Sequence, residues 1–163
     1  LLEGGIRIPF VISYPEKLKK GIYRNPITSL DLVPTFVELA GGKITKKDKL
    51  DGVNIFPYIT NETKEVPHET MMWRFTISAG IRKGNWKLIR LPDRIPLLFN
   101  LDNDPSEQNN IALENMDLVK SMLKELGDWD VSTPHILFLE GARWKRNQLG
   151  LYDKEYQLEQ PLN

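Results

Sequence analysis

No cysteine occurs among these 163 residues. That excludes disulfides, thiolate metal sites and a cysteine nucleophile, and it leaves the redox compartment undetermined. An excess of one charge is also missing, since 22 Lys and Arg residues stand against 22 Asp and Glu. No global field would therefore draw the chain to nucleic acid or to an acidic membrane. Long hydrophobic runs are absent too, and nothing approaches the ~20 apolar residues of a membrane-spanning helix. The opening Leu1-Leu2-Glu3 has no initiator Met, basic n-region or signal-type apolar stretch, so the sequence is expected to start within a longer protein. What is present is ordinary for a globular protein, with 40% hydrophobic and 27% charged residues. The length suits one domain, or one small domain plus part of another.

Local patterns divide the chain. Ile8 to Tyr14 is an apolar run bounded by prolines and without alternation, which predicts a strand buried on both faces. From Thr28, the residues Leu30, Val33, Phe36, Val37, Leu39 and Ala40 recur at helical spacing. Thr28 or Ser29 would cap that helix, Pro34 is tolerable only near its first turns, and Gly41 suits the left-handed end. Asp51 to Ile59 reads as a turn and then a short helix or extended segment. The boundary falls at Asn61 to Pro67. Beyond it, Thr70 to Phe75, Ser78 to Lys83, Asn85 to Leu91 and Leu97 to Leu101 predict an antiparallel meander, punctuated by Gly84-Asn85 and Pro92-Asp93. A second helix is expected from about Asn115 to Leu126, with Met116, Val119, Met122, Leu123 and Leu126 on its core face and Gly127 as its stop. Residues 134–163 show no clean period and read as a surface extension.

Four strings carry a family resemblance. Glu3-Gly4-Gly5-Ile6-Arg7-Ile8-Pro9 followed by Asp31-Leu32-Val33-Pro34-Thr35 is the first. The others are Leu50-Asp51-Gly52-Val53-Asn54-Ile55, Ala79-Gly80-Ile81-Arg82-Lys83-Gly84-Asn85-Trp86-Lys87-Leu88-Ile89, and Leu98 to Glu107 with Asn110-Ile111-Ala112. In this order they resemble the C-terminal portion of sulfatases, in the alkaline-phosphatase superfamily. Asn54 stands where those enzymes more often have a hydroxyl residue. The resemblance implies an α+β / α/β fragment. Residues 1–66 would end an alkaline-phosphatase-like α/β domain, and 67–133 would form a small four-stranded antiparallel sheet packed with one helix.

The resemblance also implies hydrolysis of a sulfate ester, on a sulfated small molecule or carbohydrate, in a periplasmic, secreted or lysosomal setting. The full-length enzyme would use calcium and a formylglycine made from Cys or Ser. Preorganised positive charge would stabilise the developing anion there. None of those catalytic or metal positions maps onto this chain. Ser13-Tyr14-Pro15-Glu16-Lys17 mimics the nucleophile string but has Lys in place of its Arg, and Ser132-Thr133-Pro134-His135-Ile136 departs further. The isolated chain is expected to be inactive. Two alternatives are a non-catalytic glycan-binding or interaction module on the same scaffold, and part of a related phosphoester or phosphonate hydrolase.

Candidate substrate-rim residues are Arg7, His68, Trp73 and Arg74. Arg7 follows the flexible Gly-Gly corner and could line a pocket or tie the corner to a carboxylate. The other three sit where the chain enters the small sheet. Asn100, Asp102 and Asp104 alternate like calcium ligands, but Pro105 stands where an EF-hand needs Gly, so turn chemistry is expected. Arg143-Trp144-Lys145-Arg146 mixes basic and aromatic residues without any recognisable nucleic-acid module. Asn61-Glu62-Thr63 fits the glycosylation sequon, a common string. Removing sheet partners from Ile8 to Tyr14 would expose an apolar edge, so self-association through it is expected.

Overall fold

The computed structural model describes residues 1–134, 136, 137 and 140–158. They form two compact units, one of Pro9–Glu69 and one of Leu1–Ile8 with the residues from Thr70 onward.

The second of these units is built on the meander. Strands β1 (Thr70–Phe75), β2 (Ser78–Lys83), β3 (Trp86–Arg90) and β4 (Leu97–Asn100) pair in sequence order, all antiparallel. Gly84 takes φ +57 between the partners Lys83 and Trp86. Glycine reaches that conformation without the Cβ clash that other residues meet. Alternation along each strand then separates two faces. Ala79, Ile81, Leu88 and Leu98 point one way, onto Val119, Met122 and Leu126 of helix α4 (Met116–Ser132). Ile89, Leu97 and Phe99 point the other way, onto Leu149, Tyr152 and Tyr156 of helix α5 (Ala142–Tyr156) and onto Leu1 and Leu2.

Three expectations change here. Helix α4 does not stop at Gly127 but runs to Ser132. Gly127 is not among the residues with positive φ, and Trp129 and Asp130 continue to find partners beyond it. Met116, expected on the core face, is 42% exposed at the first turn, and the buried stripe begins at Val119. The stretch without a clean period holds the 15-residue α5, so the sheet carries two helices rather than one. Its seam is narrow, with Leu149, Tyr152 and Tyr156 inward and Leu151 exposed. His135, within the expected surface extension, lies outside the described residues.

A Cβ at Gly127 would meet nothing within 4 Å. Gly127→Ala should therefore stabilise the sheet unit by about 0.5–1 kcal/mol, because alanine loses less backbone entropy in a helix interior. Urea titration read by tryptophan fluorescence checks this, since all four tryptophans (Trp73, Trp86, Trp129, Trp144) lie in that unit.

In the unit Pro9–Glu69, residues 29–31 form a 3₁₀ turn leading into helix α2 (Leu32–Leu39). Asp31 supplies the capping box with Thr28, and Gly41 ends the helix at φ +83. The buried face is not the apolar one. Asp31, Pro34 and Thr35 are buried, whereas Leu30, Val33, Phe36 and Val37 face solvent. A one-turn helix, α3 (Phe56–Ile59), follows, and Ile55 and Phe56 are the buried apolar residues of this unit. The strand expected over Ile8 to Tyr14 is not formed. No described segment offers it a ladder, so its backbone runs irregularly with Ile8 73% and Val11 89% exposed. A strand needs a neighbour to satisfy its amides, and apolar character alone does not supply one.

Candidate functional site

Lys87 is a charged side chain with no exposure. It sits on β3, on the face that carries Ile89 and Leu91, and its Nζ lies between two carboxylates. One is Glu3 Oε1 at 2.8 Å and the other Glu107 Oε1 at 2.7 Å. The second oxygen of Glu107 accepts the backbone N–H of Glu3, and Glu3 Oε2 lies 3.9 Å from Arg82 Nη1. Two cations and two anions thus balance. Glu3 opens the short helix α1 (Glu3–Ile6), which brings the Gly-Gly corner to the sheet. A Cβ at Gly80 would meet Leu88 O at 3.4 Å and Leu1 Cδ1 at 3.7 Å, ordinary contact distances, so the close packing of the N-terminal residues does not depend on glycine there.

Asp31 is a comparable hub in the other unit, with no exposure. Its Oδ2 accepts the N–H of Thr28 at 2.8 Å and its Oδ1 the N–H of Val53 at 2.9 Å. His68 Nε2 lies 2.9 Å from both oxygens. Next to it, the Thr35 hydroxyl donates to Asp31 O at 2.7 Å and accepts the Ile55 N–H at 2.9 Å. Asp104 is a third carboxylate spent on backbone, receiving the N–H of Gln108 at 3.0 Å and of Asn109 at 2.8 Å. This is the turn chemistry expected for that loop.

An open groove of about 640 Å³ runs along the edge strand β1, lined by Gly5, Ile6, Met72, Trp73, Arg74 and Trp129 among others. It brings Trp73 and Arg74 together beside the corner that leads to Arg7, which is itself exposed. Arg74 is already engaged, since Nη1 donates to Asp130 Oδ1 at 2.7 Å and Nη2 to Pro134 O at 2.7 Å. Arg90 Nη2 reaches the other Asp130 oxygen at 2.9 Å. The Arg90 hydrogen bond, and then that of Arg74, hold the Asp130 carboxyl below the usual carboxylate range against the opposing effect of burial. His68 belongs to the other unit and is bound to Asp31. Trp144 of the basic-aromatic string packs edge-on against Phe75 at 5.2 Å.

The described residues do not suit the calcium of the resemblance. No group of three His, Asp or Glu side chains could hold a metal ion among the described residues. Ser13 is exposed on the irregular segment, where the Lys17 amine lies 5.5 Å from the Tyr14 ring centroid. No described helix is long and apolar enough to cross a membrane.

Residues 1–131 match the family model described as N-sulphoglucosamine sulphohydrolase, C-terminal. A choline-sulfatase of Rhizobium meliloti is 29% identical over 117 residues, covering 68% of this chain and 22% of that protein. The solved structure of Ps i-CgsB in complex with k-i-k-neocarrahexaose is 27% identical, with a TM-score of 0.60 over 82% of this chain and 31% of that one. A structure from work on glycosaminoglycan metabolism by Bacteroides thetaiotaomicron has a TM-score of 0.69 at 22% identity, over 79% of this chain and 30% of that one, a likeness of fold. The chain thus spans less than a third of the length of these relatives. The match over most of its length, together with the strings at Glu3, Lys87 and Glu107 that converge within one unit, makes this chain a member of the sulfatase family, corresponding to its C-terminal part.

Proposed function

We propose that this chain supplies the scaffold and one side of the substrate pocket to a sulfuric ester hydrolase whose nucleophile and metal ligands lie outside these residues. One observation carries the reading: four acidic groups of the family strings are committed to internal partners. Glu3 and Glu107 hold Lys87, while Asp31 and Asp104 hold backbone amides. A carboxylate so engaged is part of the framework and is not poised to bind a cation or shuttle a proton. Calcium and formylglycine chemistry belongs, in this reading, to the remainder of the enzyme.

The substrate is proposed to be a sulfated carbohydrate or similar small molecule. Support comes from the groove at β1, where Trp73 offers an aromatic surface and Gly5 and Ile6 line the wall just before the exposed Arg7 in sequence. Aromatic rings and cations suit the apolar faces and anionic groups of sulfated sugars. Arg74 would act at the rim only through the atoms that Asp130 and Pro134 leave free. In the full-length enzyme, Arg7→Ala and Trp73→Ala should each raise KM for a sulfated oligosaccharide about tenfold with kcat little changed, as loss of uniform binding does. Unchanged kcat/KM in both variants would remove these residues from the pocket.

The groove also favours a second reading, a glycan-binding module without chemistry. Binding of a sulfated oligosaccharide by this chain alone, at micromolar Kd and lost in Trp73→Ala, would support it over the first.

A further inference from the structure

We propose that Lys87 and Glu107 are positioning residues that clamp Glu3, and through it set the Gly4-Gly5 corner and Arg7 against the small sheet. The proposal rests on the reading of Arg7 as part of the pocket rim. Residue 3 is held twice. Its side chain is bound by Lys87 at 2.8 Å, and its backbone N–H is bound by the Glu107 carboxylate. The carbonyl of the same residue accepts the Arg7 N–H at 2.9 Å. Arg7 therefore hangs from a residue fixed at both backbone and side chain, by groups 84 and 104 positions away.

The clamp has further anchors of its own. Glu107 sits at φ +55, a left-handed conformation that costs a non-glycine residue energy and persists where surrounding contacts dictate it. Its carbonyl accepts the Tyr156 hydroxyl at 2.8 Å, which ties the same residue to helix α5. The neighbouring positions on this face are apolar, Ile89, Leu97 and Phe99 among them. A well-packed apolar set in place of a buried ion cluster is often as stable or more so. What the charges provide and apolar groups do not is a directional fix on Glu3, so the cluster specifies geometry at the corner.

The test is amide hydrogen exchange on the chain carrying Lys87→Met, Glu3→Gln and Glu107→Gln together, with Glu3→Gln alone as the milder variant. The expected result is exchange at Gly5, Ile6 and Arg7 at least tenfold faster in the triple variant and at least threefold faster in the single one. Amides of Ile81, Leu88 and Leu98 should keep their protection within about threefold in Glu3→Gln. Unchanged protection at the corner would overturn the proposal. So would a parallel loss at corner and sheet in the single variant, which would make the cluster a stabiliser of the fold alone. Exchange is read without substrate, so its failure leaves the sulfatase reading standing. The failure of Arg7→Ala to affect KM, with the corner loosened as expected, would count against the rim assignment and not against the clamp.

Discussion

Gly52→Ala should lose at least about 3 kcal/mol of the stability of the unit Pro9–Glu69, the upper range for overpacking. A Cβ built at Gly52 would lie 2.1 Å from Leu30 O, 2.3 Å from Leu30 C and 2.7 Å from Asp31 N. All three are backbone atoms of the turn that starts α2, so no side chain can rotate away to make room. The turn must shift, and with it the Asp31 carboxylate that accepts the Val53 N–H. Exchange at the amides of Leu32–Leu39 should rise by two or more orders of magnitude, while the tryptophan-reported transition of the sheet moves less. Protection of α2 within tenfold of the parent would show that the close approach is not required.

Lys87→Ala carries the other large effect. It leaves the Glu3 and Glu107 carboxylates facing each other in a site where Lys87 has no exposure and Glu107 is 1% exposed. Removing one partner of a buried ion pair typically costs about 3–5 kcal/mol, because the group left behind is both unpaired and desolvated. The loss should appear as a lower urea midpoint by tryptophan fluorescence. A shift corresponding to less than about 1 kcal/mol would mean that solvent reaches the cluster and screens it, as at surface pairs.

Much of the small sheet was legible in the sequence. Strand alternation and the Gly84-Asn85 turn fix the meander to within a residue or two of β1 to β4. Helix α2 was legible as a helix but not in its orientation. Periodicity marks an apolar stripe; whether Leu30, Val33 and Phe36 are covered depends on what lies against them, and here the Asp31 and Thr35 side is buried. Helix α5 escaped because three inward residues amid charged neighbours give almost no periodic signal. Gly127 misled because glycine ends helices chiefly where φ is positive, which a sequence does not reveal.

The candidate site divides the same way. Trp73 was legible as an aromatic at the sheet entry, and it lines the groove. The commitments of His68 to Asp31 and of Arg74 to Asp130 span 37 and 56 positions, beyond any local pattern. Glu3, Lys87 and Glu107 each stood inside a family string, but only the fold brings the three strings to one point. The available signal was a lysine next to the apolar pair Leu88-Ile89 of β3, which asks for a buried counter-ion.

The most direct test of the whole account is hydrolysis of an aryl sulfate by the purified 163-residue chain in the presence of calcium. No product above the buffer rate is expected, because Glu3, Asp31, Asp104 and Glu107 of the family strings are fasteners of the scaffold. Saturable turnover at an ordinary enzymatic rate, on the order of 1 per second or faster, would contradict it.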